Sequence, residues 1–382
     1  MIDIYSYDMV PLSDFLAEYK ELNANNRFRP VAVGRYGIRT RESIYSKELA
    51  QDYSKNKLIY KDTLTVGMGS VQMDIGILTD DITYSVSPAY HTYRINGINC
   101  DYLRFCLQAR NADMFERYKK RGSRQGKSID LKAWLHYLIP VYEIDGQLQI
   151  VSTLHKIQSI IDDRMQELQK LDDLVKARFV EMFGIPFVND KHWVTKCIGE
   201  VVTEVRYGTS RPAVEGGKYP YLRMNNLTND GEIDLNNLKY IDIPDDEVEK
   251  CIVRKGDVLF NRTNSAELVG KTAMFDLDEE MIIAGYIIRV RLQSCLRPEI
   301  LSQYMNLKPV KELLHSMAKG AVNQANINAQ ELQSIEVYIP HIELQREFVA
   351  FKKQIDKSKF VVQQALDKAQ LLFDSLMQQY FG

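Results

Sequence analysis

The chain of 382 residues has room for two or three domains, and its 45% hydrophobic and 26% charged residues are typical of a folded globular protein. No apolar run approaches the roughly 18 residues of a membrane helix, and the acidic N-terminus, MIDIYSYDMVPLSD, does not look like a signal peptide. Five scattered cysteines without a CxxC pair and six dispersed histidines favour a reducing compartment without a metal site. We therefore expect a cytoplasmic protein that has no membrane contact.

Charge is segregated along the chain, although the net charge is only −2. Five arginines and no acid lie from Arg27 to Arg41, and nine basic residues accompany three acids from Arg104 to Lys132. Residues 143–184 then carry eight acids against five bases. Such segregation lets a nearly neutral protein present basic faces, although an ordinary solvated surface gives the same pattern.

The first half begins with short strand-like runs at Leu58-Ile-Tyr, Thr63-Leu-Thr and residues 89–95. Residues 103–120 have the pattern of a helix, and a hydrophobic strand that ends in Ile139-Pro140 follows. A heptad pattern without Gly or Pro before its terminal Gly then predicts a long helix.

The second half shows the same order of elements. Tyr219-Pro-Tyr-Leu-Arg-Met, Asp257-Val-Leu-Phe and residues 282–292 predict strands, separated by turn-formers such as Asn229-Asp-Gly. Residues 301–319 predict a helix, and a strand that ends in Ile339-Pro340 precedes the second long helix.

The chain matches itself at an offset of 198 residues. Residues 103–130 align with 301–328, and residues 147–184 align with 345–382. The two copies also end alike, in FVEMFG and LMQQYFG. A period near 200 is too long for a solenoid and indicates a duplicated domain, each copy of which is followed by a helix.

The two long helices carry apolar residues at matching heptad positions, which favours packing along one seam. Some 35 residues give rods of about 50 Å. Arg164 and Arg178 interrupt the first seam, and polar residues at such positions usually set the register. The predicted seam residues are Ile150, Leu154, Ile157, Ile161, Leu168, Leu171 and Val175 in the first helix and Phe348, Ile355, Val362, Leu366 and Phe373 in the second.

These patterns predict a mixed α+β protein. It is a tandem duplication of a strand-rich α/β domain plus a long α-helix, and the two helices pack as an antiparallel coiled coil. The predicted boundaries are 1–146 and 185–343 for the domains and 147–184 and 344–382 for the helices.

Catalytic motifs are missing from the sequence. Two segments nearly form a phosphate-binding P-loop, but Gly122-Ser-Arg-Gln-Gly-Lys-Ser is one residue short and Ser265-Ala-Glu-Leu-Val-Gly-Lys-Thr lacks the leading glycine. No Pro-Pro pair supports a DNA amino-methyltransferase, and Pro244-Asp245 has no downstream [D/E]-x-Lys partner for nuclease chemistry. Neither GxSxG nor HExxH occurs. The chain is therefore predicted to bind rather than catalyse, with no cofactor and no metal.

A duplicated globular domain in which each copy is followed by a heptad helix resembles the specificity (S) subunit of type I restriction–modification systems, and the likeness spans essentially the whole chain. In the second half it is carried by Tyr207-Gly-Thr-Ser-Arg-Pro, Tyr221-Leu-Arg-Met-Asn-Asn, Gly256-Asp-Val-Leu-Phe-Asn-Arg, Val269-Gly-Lys-Thr-Ala and Ile339-Pro-His-Ile-Glu-Leu-Gln-Arg. Tyr36-Gly-Ile and Ser85-Val-Ser-Pro-Ala-Tyr-His-Thr-Tyr are similar to a more divergent first copy. That copy departs from the pattern at Lys61-Asp-Thr-Leu and at Val141-Tyr-Glu-Ile-Asp-Gly.

The resemblance implies two target-recognition domains, each of which reads one part of a bipartite, asymmetric site in double-stranded DNA. It also implies that the helices hold the domains apart and dock two methyltransferase (M) subunits, with restriction (R) subunits joining through the complex. The physics agrees, because two half-site readers on one side of a duplex lie about one turn, roughly 34 Å, apart.

Contact with DNA needs cations for phosphates and bidentate side chains for base edges. A Gly-flanked basic loop near Arg121, its amide-rich counterpart near Asn323, and two Arg-Tyr-Gly segments supply such groups. The first-half candidates are Arg35, Tyr36, Arg39, Arg41, Lys119, Lys120, Arg121, Arg124, Gln125 and Lys127. The second-half candidates are Arg206, Tyr207, Arg211, Arg223, Asn225, Asn226, Arg262, Asn264, Lys271, Lys319, Asn323, Gln324 and Asn326. Solvated loops, turn capping and strand-edge capping are the alternative roles.

Two other functions stay open at this point. One is a protein–protein scaffold whose helices oligomerise and whose domains bind no DNA. The other is an unusual nuclease, for which Asp245 is the candidate acid. The target sequence and the methylated base cannot be derived from these patterns, because specificity depends on side-chain geometry and DNA shape.

Overall fold

The chain folds as two compact units, residues Met1–Arg164 with Gln364–Gly382 and residues Met165–Gln363. The computed structural model describes residues 6–34, 37–43, 52–120, 128–264, 269–318 and 325–382, except for the side chains of Glu42, Asn264 and Ala325. Within these ranges no helix is both long enough and apolar enough to cross a bilayer.

The first unit is built mainly from short strands. The strands are β1 (Tyr7–Pro11), β2 (Leu16–Tyr19), β3 (Val31–Gly34), β4 (Gly37–Thr40), β5 (Lys57–Ile59), β6 (Thr63–Met68), β7 (Met73–Ile77), β8 (Tyr84–Val86), β9 (His91–Ile95), β10 (Lys119–Lys120), β11 (Ser128–Ile129) and β12 (Leu138–Tyr142). The helices are α1 (Cys100–Ala109), α2 (Asn111–Tyr118) and α3 (Leu131–Trp134), and α4 (Ile144–Phe183) begins in this unit.

An antiparallel sheet in the order β2-β9-β6-β7 forms the centre of the first unit. Its middle strand β6 reads Thr-Leu-Thr-Val, and the β-branched residues favour extended backbone. The side chains of Leu64 and Val66 are completely buried and join Tyr93, Tyr102 and Trp134 in one hydrophobic core.

The second unit follows the same plan. The strands are β13 (Val194–Cys197), β14 (Val202–Tyr207), β15 (Tyr219–Leu222), β16 (Lys239–Ile241), β17 (Ile252–Val253), β18 (Val258–Asn261), β19 (Thr263–Asn264), β20 (Thr272–Met274), β21 (Met281–Ile283), β22 (Ile287–Leu292), β23 (Ala325–Asn326) and β24 (Glu336–Ile339). The helices are α5 (Asp245–Cys251), α6 (Pro298–Met305), α7 (Lys308–Met317), α8 (Ala329–Gln333) and α9 (Ile342–Phe381).

The central sheet of the second unit has the order β14-β22-β18-β20, which is the order of the first sheet. A second sheet, β16-β15-β21-β17, contains a parallel pair between β15 and β21. Each unit also has an antiparallel ribbon that leads into its long helix, β1 with β12 and β13 with β24. The duplication predicted at an offset of 198 residues is therefore a duplication of topology.

A buried glutamine occupies the same position at the start of both long helices. Gln147 accepts a hydrogen bond from the Asn99 amide (2.9 Å) and donates to the Tyr142 carbonyl (2.8 Å). Gln345 accepts from the Arg297 amide (2.9 Å) and donates to the Pro340 carbonyl (2.8 Å). Each glutamine thus ties the ribbon and the long helix to the residue that precedes the first helix after the sheet.

The departure at Lys61-Asp-Thr-Leu is a substitution within a conserved turn rather than a different structure. Asp62 (φ 58°) and Gly256 (φ 92°) both have left-handed backbone before the central strand. One residue later, the Thr63 hydroxyl accepts from the Tyr60 amide, and the Asp257 carboxylate accepts from the Arg254 amide. Asp62 therefore adopts the left-handed backbone that Gly256 adopts in the second unit, because Asp tolerates this conformation better than most residues.

The long helices pair in an antiparallel sense within each unit. In the first unit the beginning of α4 packs on the end of α9, and the buried contacts come from Ile150, Leu154, Ile157, Ile161, Phe373, Met377 and Phe381. In the second unit the end of α4 packs on the beginning of α9 through Val175, Phe179, Met182, Phe183, Phe348 and Val349. Val362 is also buried, whereas Leu168, Leu171, Ile355 and Leu366 are half-buried. The predicted mixed α+β architecture with two paired helices is confirmed.

Charged pairs accompany the apolar seam in the second unit. Arg178 of α4 contacts Glu347 of α9 at 3.1 Å, and Lys359 of α9 contacts Asp172 of α4 at 2.7 Å. Burial alone would lower the pKa of Lys359, but the hydrogen bond and the charge of Asp172 hold that pKa above its ordinary value. These pairs join specific turns of the two helices, as a register-setting role for Arg178 requires.

Three predicted elements differ from the observed ones. The single helices predicted over 103–120 and 301–319 are each two helices, α1 with α2 and α6 with α7. The backbone turns between the two helices of each pair because both apolar faces pack on the sheet. The strand predicted over 282–292 is two strands, β21 and β22, which lie in different sheets. Each compact unit includes part of both long helices, and the division at 146, 184 and 343 stays a prediction.

Candidate nucleic-acid interface

Three candidate residues, Tyr207, Arg262 and Asn326, lie together with Thr263 at one edge of the second unit. Tyr207 ends β14, Arg262 separates β18 from β19, and Thr263 pairs in antiparallel register with Asn326 of β23. The Arg262 guanidinium carbon lies 4.9 Å from the centre of the Tyr207 ring. We call Tyr207, Arg262, Thr263 and Asn326 the Arg262 cluster.

Backbone hydrogen bonds hold the Arg262 cluster in place. The Arg262 amide donates to the Tyr286 carbonyl (2.9 Å), and its carbonyl accepts from the Ile327 amide (2.9 Å). The Tyr207 hydroxyl accepts from the Ala329 amide (2.8 Å) at the start of α8. Because the Ile327 side chain is completely buried, the cluster is tied to the core. Tyr207 and Asn326 are exposed, whereas Arg262 is half-buried and Thr263 is buried.

Two neighbouring arginines from the candidate set have compensated charges. Arg206 lies 3.1 Å from Glu204. Arg211 forms a two-pronged pair with Glu247 of α5, at 3.0 and 2.7 Å, and these hydrogen bonds raise the pKa of the Arg211 guanidinium. The structure thus gives Arg211 a local carboxylate partner.

The Arg223–Asn226 turn serves the fold. Asn226 is 1% exposed, accepts from the Arg223 amide (3.0 Å) and donates to the Asp234 carbonyl (2.8 Å). Arg223 donates to the Asn237 carbonyl (3.2 Å), and Asn225 is exposed. We leave Asn226 out of the proposed DNA contacts because its amide is buried and already hydrogen-bonded.

Two lysines, Lys271 and Lys311, lie near the segment that follows β19. Lys271 is half-buried, and Lys311 of α7 donates to the Gly270 carbonyl at 2.7 Å. Burial lowers the pKa of Lys311 to about 8, the nearby charge of Lys271 adds to this shift, and Asp230 opposes it. The sequence pattern did not indicate Lys311, because its partner is a carbonyl distant in sequence.

In the first unit the described cations of the basic loop are exposed and paired. Lys119 lies 2.5 Å from Glu116, and Lys120 lies 2.6 Å from Asp130. The hydrogen bond from Lys120 lowers the pKa of Asp130. Lys119 and Lys120 lie in β10. The pair of strands β10 and β11 corresponds in topology to the segment of the second unit that ends in β23.

Two more first-unit candidates lie on and after β4. Arg39 is exposed and lines a cavity of 930 Å³ together with Arg104 of α1 and His155 of α4. Arg41 stacks over Tyr53, with 5.4 Å between the guanidinium carbon and the ring centre. Among the cavity residues Arg104 belongs to the basic stretch noted in the sequence, whereas no sequence pattern marks His155.

Several candidates fall outside the described residues. They are Arg35, Tyr36, Arg121, Arg124, Gln125, Lys127, Lys319, Asn323 and Gln324, together with the side chain of Asn264. Where the chain is described, no group of three His, Cys, Asp or Glu side chains is placed to hold a metal ion. Asp245 is exposed in the first turn of α5 and lies 3.6 Å from Lys218.

Residues 190–368, which contain the Arg262 cluster, match the sequence model of the family described as the type I restriction modification DNA specificity domain. The resemblance to type I specificity subunits that the sequence motifs indicate is thus confirmed. The specificity domain extends from just before β13 into α9, so it includes the whole central sheet of the second unit.

Two relatives carry the same name. Over 169 residues the chain is 26% identical to the specificity subunit of the type I restriction enzyme MjaX of Methanocaldococcus jannaschii, covering 43% of this chain and 39% of the relative. Over 264 residues it is 24% identical to the specificity subunit of the type I restriction enzyme EcoKI of Escherichia coli K12, covering 64% of this chain and 56% of the relative. The aligned regions thus span about half the length of these relatives.

The fold of the whole chain also has a counterpart among solved structures. A chain from a structure concerned with complex assembly and conformational transition of the type I R-M system covers 98% of this chain and 97% of its own length. The TM-score is 0.57 and the sequence identity is 16%, so the likeness is one of fold.

Proposed function

We propose that this chain is a non-catalytic DNA-recognition subunit of a type I restriction–modification complex, in which each half reads one part of a bipartite, asymmetric target. The observation that carries the proposal is the repeated frame: both units have the same order of strands in the central sheet. The connections that leave this frame differ and carry the basic and amide side chains. Two readers with one frame and different connections suit a target with two different parts.

The chemistry of these connections supports DNA as the ligand. The first unit presents Lys119 and Lys120 beside the basic loop, and the second presents Arg262 and Asn326. Cations provide contacts to phosphates, whereas arginine and asparagine provide bidentate contacts to purine edges. The specificity domain in the second half is the independent support for this assignment.

We propose that α4 and α9 set the gap between the two parts of the target. Each helix has 40 residues, a length of about 60 Å. Half-sites on one side of a duplex lie about one helical turn, roughly 34 Å, apart. The ion pairs from Arg178 to Glu347 and from Lys359 to Asp172 support a fixed register between the helices.

We also propose that the helices dock two M subunits, through which R subunits join. Exposed apolar residues on α9 support a protein partner. In the second unit Phe360 and Val361 are each 64% exposed, and in the first unit Leu371 is 71% exposed. Adjacent exposed apolar side chains are typical of protein-binding surfaces.

The decisive experiment is to co-express the chain with its M subunit, expose the complex to random DNA, and map the methylated bases by sequencing. We expect a two-part motif with a fixed gap. Exchange of residues 1–140 for those of a chain with another specificity should change one part of the motif only. A well-formed complex that shows no chain-dependent motif would contradict the proposal.

Two further measurements test the other functions. A scaffold that binds no DNA predicts no salt-dependent DNA association, whereas recognition predicts an affinity that falls steeply with salt. A nuclease predicts cleavage by the chain alone with a divalent metal, abolished by Asp245→Ala. We expect salt-dependent binding and no cleavage.

A further inference from the structure

We propose that Arg262 reads a guanine in the part of the target recognised by the second unit, through a two-pronged hydrogen bond to its O6 and N7 atoms. This inference rests on the proposed function and assigns one base of the target to one side chain. Three observations carry it: no described group accepts a hydrogen bond from the Arg262 side chain, the guanidinium lies over the Tyr207 ring, and the described side chains of β19 and β23 are neutral.

Arg262 lacks the partner that other arginines of the second unit have. Seven of them lie within 3.1 Å of a carboxylate oxygen, namely Arg178, Arg206, Arg211, Arg254, Arg289, Arg291 and Arg297. Where the chain is described, no carboxylate or carbonyl accepts a hydrogen bond from the Arg262 side chain. Its Nε atom is buried without a partner among the described residues, and the residue as a whole is half-buried. An arginine held in this state keeps its terminal donors available for a ligand.

The Tyr207 ring restricts the movement of the guanidinium. The guanidinium lies over the ring at 4.9 Å, and the Ala329 amide anchors the tyrosine hydroxyl at 2.8 Å. The Arg262 backbone is held on both sides, by the Tyr286 carbonyl and the Ile327 amide. A base edge must be met in its own plane, whereas a phosphate accepts hydrogen bonds from many directions. An arginine with an anchored backbone and an aromatic ring against its guanidinium therefore suits a base better than a phosphate.

Thr263, the next residue, and its strand partner Asn326 carry neutral hydrogen-bonding side chains. The Thr263 hydroxyl donates to the Asn326 side-chain oxygen at 2.8 Å, so the amide nitrogen of Asn326 is oriented as a donor. Phosphate sites usually gather several cations, whereas the described side chains of β19 and β23 are the Thr263 hydroxyl and the Asn326 amide. Guanine offers two acceptors on its major-groove edge, and arginine is its commonest specific partner.

The test is the methylation map of the complex with Arg262→Lys and Arg262→Ala. We expect a guanine in the second part of the wild-type motif whose preference falls roughly 10- to 100-fold in both variants. Lysine keeps the charge but loses the planar fork, so it should not restore the preference. The first part of the motif is an internal control and should not change.

Tyr207 provides a second pair of variants. Tyr207→Phe keeps the stacking ring and should keep most of the guanine preference, whereas Tyr207→Ala should lose it. Complex formation with the M subunit and the melting temperature are measured for each variant, so that a loss of folding is recognised. If Arg262→Ala does not fold, the lysine variant and the tyrosine pair still decide the question.

Two results would overturn the inference and leave the proposed function intact. One is a two-part wild-type motif in which no base changes in any Arg262 variant. The other is an unchanged motif with uniformly weaker methylation in Arg262→Ala that Arg262→Lys restores, because that is the behaviour of a phosphate contact. A wild-type complex without any motif would contradict the proposed function instead.

Discussion

The two units share a frame and differ most in the connection that follows the central strand. In the first unit residues 69–72 join β6 directly to β7, and the Tyr90 ring packs so closely on Gly67 that a Cβ atom there would overlap it. In the second unit residues 262–271 join β18 to β20 and include β19, which pairs with β23. The frame is constant, and the candidate recognition groups lie in the part that varies.

This difference explains how one architecture can present two chemistries. The duplicated core requires the same sheet order, the same ribbon and the same buried glutamine, because these elements bury apolar surface and satisfy backbone groups. The connections face solvent and are free of these requirements. The following predictions test which parts belong to the shared frame, from the largest expected effect to the smallest.

The helix pair is predicted to be the most sensitive part of the frame. Phe348 is completely buried against Phe179 and Phe183, with ring centres 5.1 and 5.6 Å away. Phe348→Ala should cost about 3–5 kcal/mol, because it leaves a cavity between the helices. Chemical denaturation measures the loss. Phe360→Ala on the same helix is the control and should change stability by less than about 0.5 kcal/mol. Equal losses in the two variants would contradict this packing.

The buried glutamines should behave alike in both units. Gln345→Ala removes the partners of the Arg297 amide and of the Pro340 and Cys295 carbonyls, and should cost about 3 kcal/mol. Gln147→Ala strips fewer groups and should cost about 2 kcal/mol. Thermal and denaturant unfolding of the two variants measure this order. If only one of the two glutamines mattered, the frames would not be equivalent.

Substitutions at the left-handed residue before the central strand should change stability by different amounts in the two units. Gly256→Ala should cost about 1–2 kcal/mol, because φ is 92° and the penalty comes from the backbone alone. Asp62→Gly should change stability by no more than about 0.5 kcal/mol, since relief of strain at φ 58° offsets the greater freedom of unfolded glycine. Denaturation midpoints of both variants test this. A large loss for Asp62→Gly would show that the aspartate side chain has another role.

The smallest expected effect is a pH dependence found in the second unit. The folded pKa of Lys311 is lowered by burial to about 8, so the unfolded chain binds more protons above that pH. The contribution of Lys311 to stability therefore rises as pH increases from about 8 towards its ordinary pKa. The wild type should gain about 1 kcal/mol at most over Lys311→Met between pH 7.5 and 9. A difference that is constant over this range would contradict the burial of the ammonium group.

Much of the fold was predictable because it depends on local periodicity. The heptads of the long helices predicted their existence and pairing. Ile150 and Leu154 in α4, and Phe348 in α9, each belong to a series of apolar residues whose spacing only a helix places on one face. The self-match predicted a duplication. The breaks between α1 and α2 and between α6 and α7 were not predictable, because they follow from the fit of each segment to its sheet.

The candidate site was less predictable than the fold. The sequence indicated Tyr207, Arg262 and Asn326 through separate motifs, and the structure brings them together at β19 and β23. The sequence could not distinguish Arg262 from Arg211, because Glu247, the partner of Arg211, lies 36 residues away along the chain. Asn226 had the same composition-based support as Asn326, yet one is buried and the other exposed.

The sequence by itself determined the duplication, the heptad seam, the absence of catalytic motifs and the family resemblance, because each of these is a pattern of residues along the chain. Only the tertiary structure decided that Asp62 replaces Gly256, that a glutamine ties each long helix to its domain, and that Arg262 lies over Tyr207 with no carboxylate partner among the described residues. The reason is physical: burial and pairing depend on which distant segments meet, and the sheet order brings those segments together.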